Sequence, residues 1–76
     1  MSKHANAGGS KKIGPRVRRL RKEAGETLQD VADAICSSKS QIWEIEAGGN
    51  KNPTIGTVMA LARHFGTSVS YLVGEI

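Results

Sequence analysis

The stretch TLQDVADAICSSKSQIWEIEAG, residues 27–48, decides the fold because it contains two short helical patterns separated by a break. In the first pattern, apolar residues recur from Leu28 at i, i+3, i+4 and i+7, which is the spacing of one face of an α-helix. Thr27, directly before this pattern, is a favourable N-cap. The small residues 36–38 form the break, so the first helix is expected to end there.

The second pattern starts after the break. Ser38 is followed three places later by Gln41, which predicts a capping box and a helix that begins at about Lys39. The pair Gly48-Gly49 ends this helix, and the following segment is rich in turn-forming residues. We therefore expect a short helix followed by a loop.

The two faces of this second helix differ. Ile42 and Ile45 are its aliphatic pair and predict the buried face, whereas Trp43 lies on the opposite side. Ala32, in the middle of the preceding helix, permits a close approach between the two helices. Two helices joined by a tight turn in this way predict a helix-turn-helix, whose second helix is shaped to enter a DNA major groove.

The rest of the chain carries similar helical signals. The expected start and stop residues of the flanking helices are Ile13 and Gly25, then Thr54 and Gly66, with Ser68 as the cap of a short last helix. The apolar face expected for the helix after Thr54 consists of Ile55, Val58, Met59, Ala62 and Phe65. No segment alternates with period two. The predicted fold class is all-α, a compact domain of five helices over residues 13–76, preceded by a disordered basic tail over residues 1–12.

Charge narrows the class of partner. The 76 residues include 11 Lys and Arg against 7 Asp and Glu, a net charge of +4. Eight of the bases lie within the first 22 residues: Lys3, Lys11, Lys12, Arg16, Arg18, Arg19, Arg21 and Lys22. Such clustering favours a polyanionic partner, nucleic acid before membrane, with an ordinary solvated basic face as the alternative. An alternative role for the tail, which carries three lysines, is to reach round a DNA duplex.

Other functions find little support in the sequence. One cysteine excludes an intrachain disulfide framework and a cysteine-based zinc site, and it suits a reducing cytoplasm. No apolar run approaches the roughly 20 residues that span a bilayer. Cys36 has no evident base, because His4 lies in the tail and His64 stands alone. We expect no enzyme, no cofactor and no metal site.

The segment LQDVADAICSSKSQIWEIEAGGNKNPTIGTVMALARHFGTSVSYLV, residues 28–73, resembles the phage repressor and Cro class (XRE-like) of helix-turn-helix domains. With RLRKEAGET before it, the resemblance covers roughly residues 13–73. The residues that carry it are Ala32, the aliphatics at 31, 35, 42 and 45, Glu46 followed by Gly48, the loop ending Asn52-Pro53-Thr54, and Phe65-Gly66-Thr67-Ser68. The resemblance implies a lambda-repressor-like fold.

It also implies a function. Proteins of this class are bacterial or phage-encoded transcription regulators of the nucleoid that bind double-stranded DNA, usually as homodimers on a pseudo-palindromic operator, and most are repressors. The alternative is a protein-interaction module, such as an antitoxin whose DNA binding is autoregulatory. Both readings are expectations that rest on the resemblance.

Site residues follow position by position. The resemblance implies base-edge contacts by Lys39, Ser40 and Glu44, and phosphate contacts by Ser38, Gln41, Asn50 and Lys51. Trp43 is expected among the base contacts, against a thymine methyl or the sugar wall, unless it folds over its own helix or meets a protein. Arg18 is expected on phosphate because it belongs to the basic cluster.

Two structural contacts are also expected. We expect a partly buried ion pair between Arg21 and Glu46. Arg21 lies at the edge of the first apolar stripe, and Glu46 lies on the inner side of the second helix of the motif. The expected dimer interface comprises Ile55, Val69, Tyr71 and Leu72, because the end of the chain carries more apolar surface than one short helix can bury.

The chain departs from the class at two positions. Cys36 stands where relatives usually have Gly, so we expect a positive φ there. Leu28 stands where many relatives have Gln, which predicts a different contact network around the start of that helix.

Overall fold

The computed structural model describes residues 10–75, which form helices joined by short turns. In chain order they are α1 (Ile13–Glu23), α2 (Leu28–Ala34), α3 (Lys39–Ala47), α4 (Ile55–Phe65) and α5 (Val69–Val73). No strand occurs in this range. The predicted all-α class and the five helices are confirmed.

The predicted caps account for most helix starts. Thr27, Ser38, Thr54 and Ser68 each accept a hydrogen bond from the backbone N–H three residues later, as N-caps do. In α2 the Thr27 N–H also donates a hydrogen bond to the Asp30 carboxylate, which completes a capping box. That backbone hydrogen bond, together with the Thr27 side chain, lowers the pKa of Asp30.

The core is apolar and draws on every helix. Its buried residues are Ile13, Val17, Val31, Ala32, Ile42, Ile45, Val58, Leu61, Ala62 and Leu72. The predicted inner face of α3 is confirmed, since Ile42 and Ile45 are both 0% exposed.

The expected apolar face of α4 was partly wrong. Val58 and Ala62 are buried as predicted, but Leu61 completes the buried seam, whereas Ile55 and Met59 are exposed. The buried face of α4 therefore lies closer to Leu61 than the predicted face did, because α4 packs mainly on α5 and α1.

A close approach between α1 and α3 positions the helix-turn-helix. Gly14 is buried where α1 crosses the end of α3. A Cβ at this position would lie 2.5 Å from the carbonyl oxygen of Ile45 and 3.0 Å from that of Glu46. Because backbone atoms cannot move aside cheaply, only glycine allows the two helices to come this close.

The turn between α2 and α3 contains the expected positive φ. Cys36 has φ +57°, in the left-handed region. Its N–H donates to the Asp33 carbonyl and the Ser37 N–H donates to the Ala32 carbonyl, at 3.3 and 2.8 Å. These two bonds make a Schellman ending for α2, which requires the left-handed conformation that a Cβ disfavours.

An ion pair joins α1 to α3, as expected for Arg21 and Glu46. Arg21 Nε and Nη2 donate to the two carboxylate oxygens of Glu46, at 2.6 and 3.0 Å. The hydrogen bond and the charge of Glu46 raise the pKa of Arg21. The two side chains retain 14% and 7% of their exposure, so the pair is largely shielded from solvent.

Cys36→Gly should stabilise the domain by about 1 kcal/mol, because glycine adopts the left-handed turn without strain. The melting temperature should then rise by about 4–8 °C, which is the change expected for a domain of this size. Cys36→Ala is the matched control, since it removes the thiol but keeps the Cβ, and it should bring no gain. A lower melting temperature for Cys36→Gly would contradict the strain.

Arg21→Ala should destabilise the fold by about 3 kcal/mol, because it leaves the Glu46 carboxylate without its partner in a shielded site. Glu46→Ala should cost a similar amount, and the double mutant less than the sum. The exposed pair Arg19–Glu23 supplies the control: at 65% and 62% exposure, Arg19→Ala should cost no more than about 0.5 kcal/mol. Zero coupling energy between Arg21 and Glu46 in the denaturation cycle would be the contrary result.

Candidate nucleic-acid interface

The outer face of α3 presents the residues that were expected to contact bases. Lys39, Ser40, Trp43 and Glu44 are all exposed, while the opposite face of the helix is locked into the core. Trp43 is 55% exposed although it is the only tryptophan of the chain. The expectation that Trp43 lies on the outer face therefore holds.

These four side chains line one open depression together with Leu28, the first residue of α2. We call this depression the α2–α3 cleft. Leu28 also packs against the core, where it is partly buried. The sequence singled out Leu28 as a departure from relatives but did not place it beside Trp43, because spacing along one helix says nothing about contacts between two.

The two candidate phosphate contacts at the start of α3 have different surroundings. The Ser38 hydroxyl is exposed and accepts from the Gln41 N–H at 3.1 Å. The Gln41 side chain, expected to complete a capping box with Ser38, instead accepts a hydrogen bond from the Ser37 hydroxyl. Ser38 is thus a cap as expected, but the expected return contact from the Gln41 side chain was wrong, because the neighbouring Ser37 hydroxyl binds the Gln41 side-chain amide instead.

The loop after α3 holds the other two phosphate candidates. The Asn50 N–H donates to the Glu44 carbonyl, and Asn50 Oδ1 accepts from the Asn52 N–H, both at 3.1 Å. The Lys51 side chain is exposed. The backbone carbonyl of Lys51 accepts a hydrogen bond from the Ser10 N–H at 2.7 Å. The loop is thus fixed at both its beginning and its middle.

Ser10 is a structural contact that the sequence did not reveal. Besides its bond to Lys51, its hydroxyl donates to the Val73 carbonyl at 2.7 Å. The Lys12 side chain lies directly over Gly74. Contacts with the domain therefore begin at Ser10, before residue 13, where the first apolar residue of the helical pattern predicted the start of the domain. The expectations for residues 1–9, including the tail's reach to DNA, lie outside the described residues.

Charge on this side of the molecule is mixed. Lys39 and Lys51 are exposed cations, and Arg18 is exposed on α1, a different helix from the other candidates. Glu44 brings the one carboxylate that lines the α2–α3 cleft, and its Oε1 lies so close to Gly49 that a Cβ there would be 2.1 Å away. The lining of the α2–α3 cleft therefore combines hydrogen-bond donors, one carboxylate and apolar side chains.

The expected dimer residues separate into different environments. Ile55 is 66% exposed on α4. Val69 and Tyr71 are partly buried, and one face of the Tyr71 ring is covered by the Arg16 guanidinium, 4.3 Å from its centre. Leu72 is 0% exposed, so its assignment to an interface was wrong: it is a core residue, because α5 turns it inward onto α4 and α1.

Within residues 10–75, no three His, Cys, Asp or Glu side chains are grouped so that they could hold a metal ion. None of the helices in this range is long and apolar enough to cross a membrane.

Comparison with known proteins identifies the same helix-turn-helix arrangement. No curated protein matches the chain. The model of a helix-turn-helix family, the XRE family, matches residues 17–72, which is 56 of the 76 residues and includes α2, α3 and α4 entirely. The chain therefore belongs to this helix-turn-helix family, whose domains bind DNA in transcription regulators.

Proposed function

We propose that this protein is a transcriptional repressor that binds a pseudo-palindromic operator as a homodimer and reads bases with α3. The observation that carries the proposal is the two-sided character of that helix. Ile42 and Ile45 are fully buried on one side, and four side chains able to meet base edges are exposed on the other. A helix held rigidly by its inner face can present its outer face to a major groove in a fixed register.

Each exposed side chain suits a different feature of the bases. The Lys39 ammonium can donate to guanine, and the Ser40 hydroxyl can exchange hydrogen bonds with several bases. A Glu44 carboxylate can only accept, for example from the N4 amino group of cytosine. It therefore favours the few sequences that offer a donor and disfavours the rest.

The remaining candidates would position the domain on the backbone. Lys51 is exposed on a loop that is anchored at Ser10, so its charge is held near the end of α3. Asn50, Ser38 and Gln41 offer polar groups at the two ends of the same helix, and Arg18 extends the contact to α1. Contacts of this kind bind phosphate without reading sequence.

Exposed apolar residues on α4 support the dimer. Ile55 is 66% exposed and Met59, one turn later, is 47% exposed, so the two form a continuous patch on one helix face. Val69 and Tyr71, which are only partly buried, are the other proposed members of the interface. Two helix-turn-helix units related by a twofold axis would then meet half-sites about 10 base pairs apart.

Glu44→Gln should raise affinity for random duplexes and lower discrimination, because it removes a carboxylate from a field of phosphates and adds a donor. Lys51→Ala should weaken binding to every sequence and flatten its salt dependence, since a phosphate contact carries no sequence information. Lys39→Ala and Ser40→Ala should each change the preference at one base position by about 1–3 kcal/mol. Titrations of preferred and random duplexes at two salt concentrations measure all four.

Arg63→Ala is a charge-matched control for Lys51→Ala, because Arg63 is an exposed cation near the end of α4. It should lower affinity less than Lys51→Ala does. If Glu44→Gln leaves both affinities unchanged, α3 does not lie in the groove and the proposed mechanism fails.

Ile55→Glu should weaken self-association, because it places a charge in the centre of the patch. The parent protein should form weak dimers in solution and stronger ones on a duplex with two half-sites. Sedimentation velocity of the free protein and of the complex measures this. Monomers alone in both conditions, for the parent protein, would count against the dimer.

A further inference from the structure

We propose that the α2–α3 cleft receives the C5-methyl group of a thymine, with Leu28 and Trp43 as its apolar walls. The inference rests on the proposed function, because it names a base that α3 reads. It assigns a recognition role to Leu28, a residue outside α3.

The cleft is open and is lined by both apolar and polar side chains. Leu28 from α2 and Trp43 from α3 face it, and Lys39, Ser40 and Glu44 complete its lining. On α3, Lys39 and Ser40 lie four and three residues before Trp43, so all three share one side of the helix. Trp43 as a residue is 55% exposed. A small apolar group that covers the indole and Leu28 gains the free energy of removing their surface from water.

The chemistry of the cleft selects thymine among the bases. Thymine is the one standard base that displays an apolar group in the major groove, and its neighbouring O4 atom is a hydrogen-bond acceptor. Lys39 and Ser40 offer donors in the lining of the cleft, so one base can set its methyl group against Leu28 and Trp43 and satisfy these donors as well. The Glu44 carboxylate would repel O4, which directs that atom toward Lys39 and Ser40.

Charge favours DNA over an apolar segment of a protein as the occupant. The chain carries a net charge of +4, and Lys39 lies at the cleft itself. A thymine methyl arrives on a polyanion, so its approach is electrostatically favoured. An uncharged apolar peptide would gain nothing from Lys39.

The test removes a single methyl group from the DNA. A preferred duplex is first selected from a random library with the full chain, and each thymine is then replaced in turn by deoxyuridine. Deoxyuridine keeps the pairing and O4 and lacks only the methyl. At one thymine in each half-site the dissociation constant should rise about three- to fivefold, the effect of one buried methyl group. Substitution at the other thymines should have little effect.

Variants of the two walls then locate the methyl. Trp43→Ala and Leu28→Gln should bind more weakly overall, and the ratio between the thymine and deoxyuridine duplexes should fall to about one. Trp43 is exposed, so Trp43→Ala should retain the parent's melting temperature even if Leu28→Gln lowers it. Gln29→Ala is the control, because Gln29 is the exposed neighbour of Leu28 and its side chain is hydrogen-bonded to Asp33 within α2. In this variant the ratio between the thymine and deoxyuridine duplexes should stay at the parent's value.

Each outcome decides the proposal. A preferred duplex without any thymine sensitive to the loss of its methyl overturns the pocket and leaves the DNA-binding function standing. A ratio that survives in Trp43→Ala or in Leu28→Gln overturns the assignment of that wall. If the chain prefers no duplex over random DNA, both the pocket and the proposed function fail.

Discussion

The contact between α1 and α3 is the constraint on which the rest of the structure depends. With nine residues, α3 is too short to be stable in isolation, so its existence and its direction come from what it packs against. Gly14 lets α1 approach the carbonyl groups at the end of α3, and the Arg21–Glu46 pair fixes the same end by two hydrogen bonds. Because a bidentate guanidinium–carboxylate contact has a defined geometry, it sets the rotation of α3 as well as its distance from α1.

Polar contacts extend this constraint to the far side of the domain. Arg21 Nη1 also donates to the carbonyl of Glu26, in the turn between α1 and α2, at 3.0 Å. The Glu26 carboxylate in turn contacts His64 Nε2 near the end of α4, at 2.8 Å. The Arg21 guanidinium therefore holds α3 and the turn together, and the Glu26 side chain links that turn to α4. This chain of polar contacts connects α3 with α4.

Local rules were sufficient for α2 to α5 because the start of each of these helices has a capping side chain. Thr27, Ser38, Thr54 and Ser68 are all caps in the structure, and Cys36 adopts the positive φ that its position required. The pattern of the family also placed Arg21 opposite Glu46.

What failed depended on packing between elements. The buried seam of α4 includes Leu61 and leaves out Ile55, because the neighbours of α4 and not its own periodicity choose the face. Leu72 is buried for the same reason. The hydrogen bond from Ser10 to Val73 joins residues 63 positions apart, a pairing that no local pattern indicates. The α2–α3 cleft likewise appears only when two helices are placed side by side.

The exposure of Trp43 decides what the intrinsic fluorescence of this protein reports. Most domains bury their tryptophan, so the emission shifts to longer wavelength when they unfold. Here the single indole already meets water in the folded state, with 55% of its surface exposed. Its emission should therefore change little on unfolding, and circular dichroism is the better measure of stability. The same indole lies on the exposed side of α3, so its emission is a sensor for whatever approaches that side.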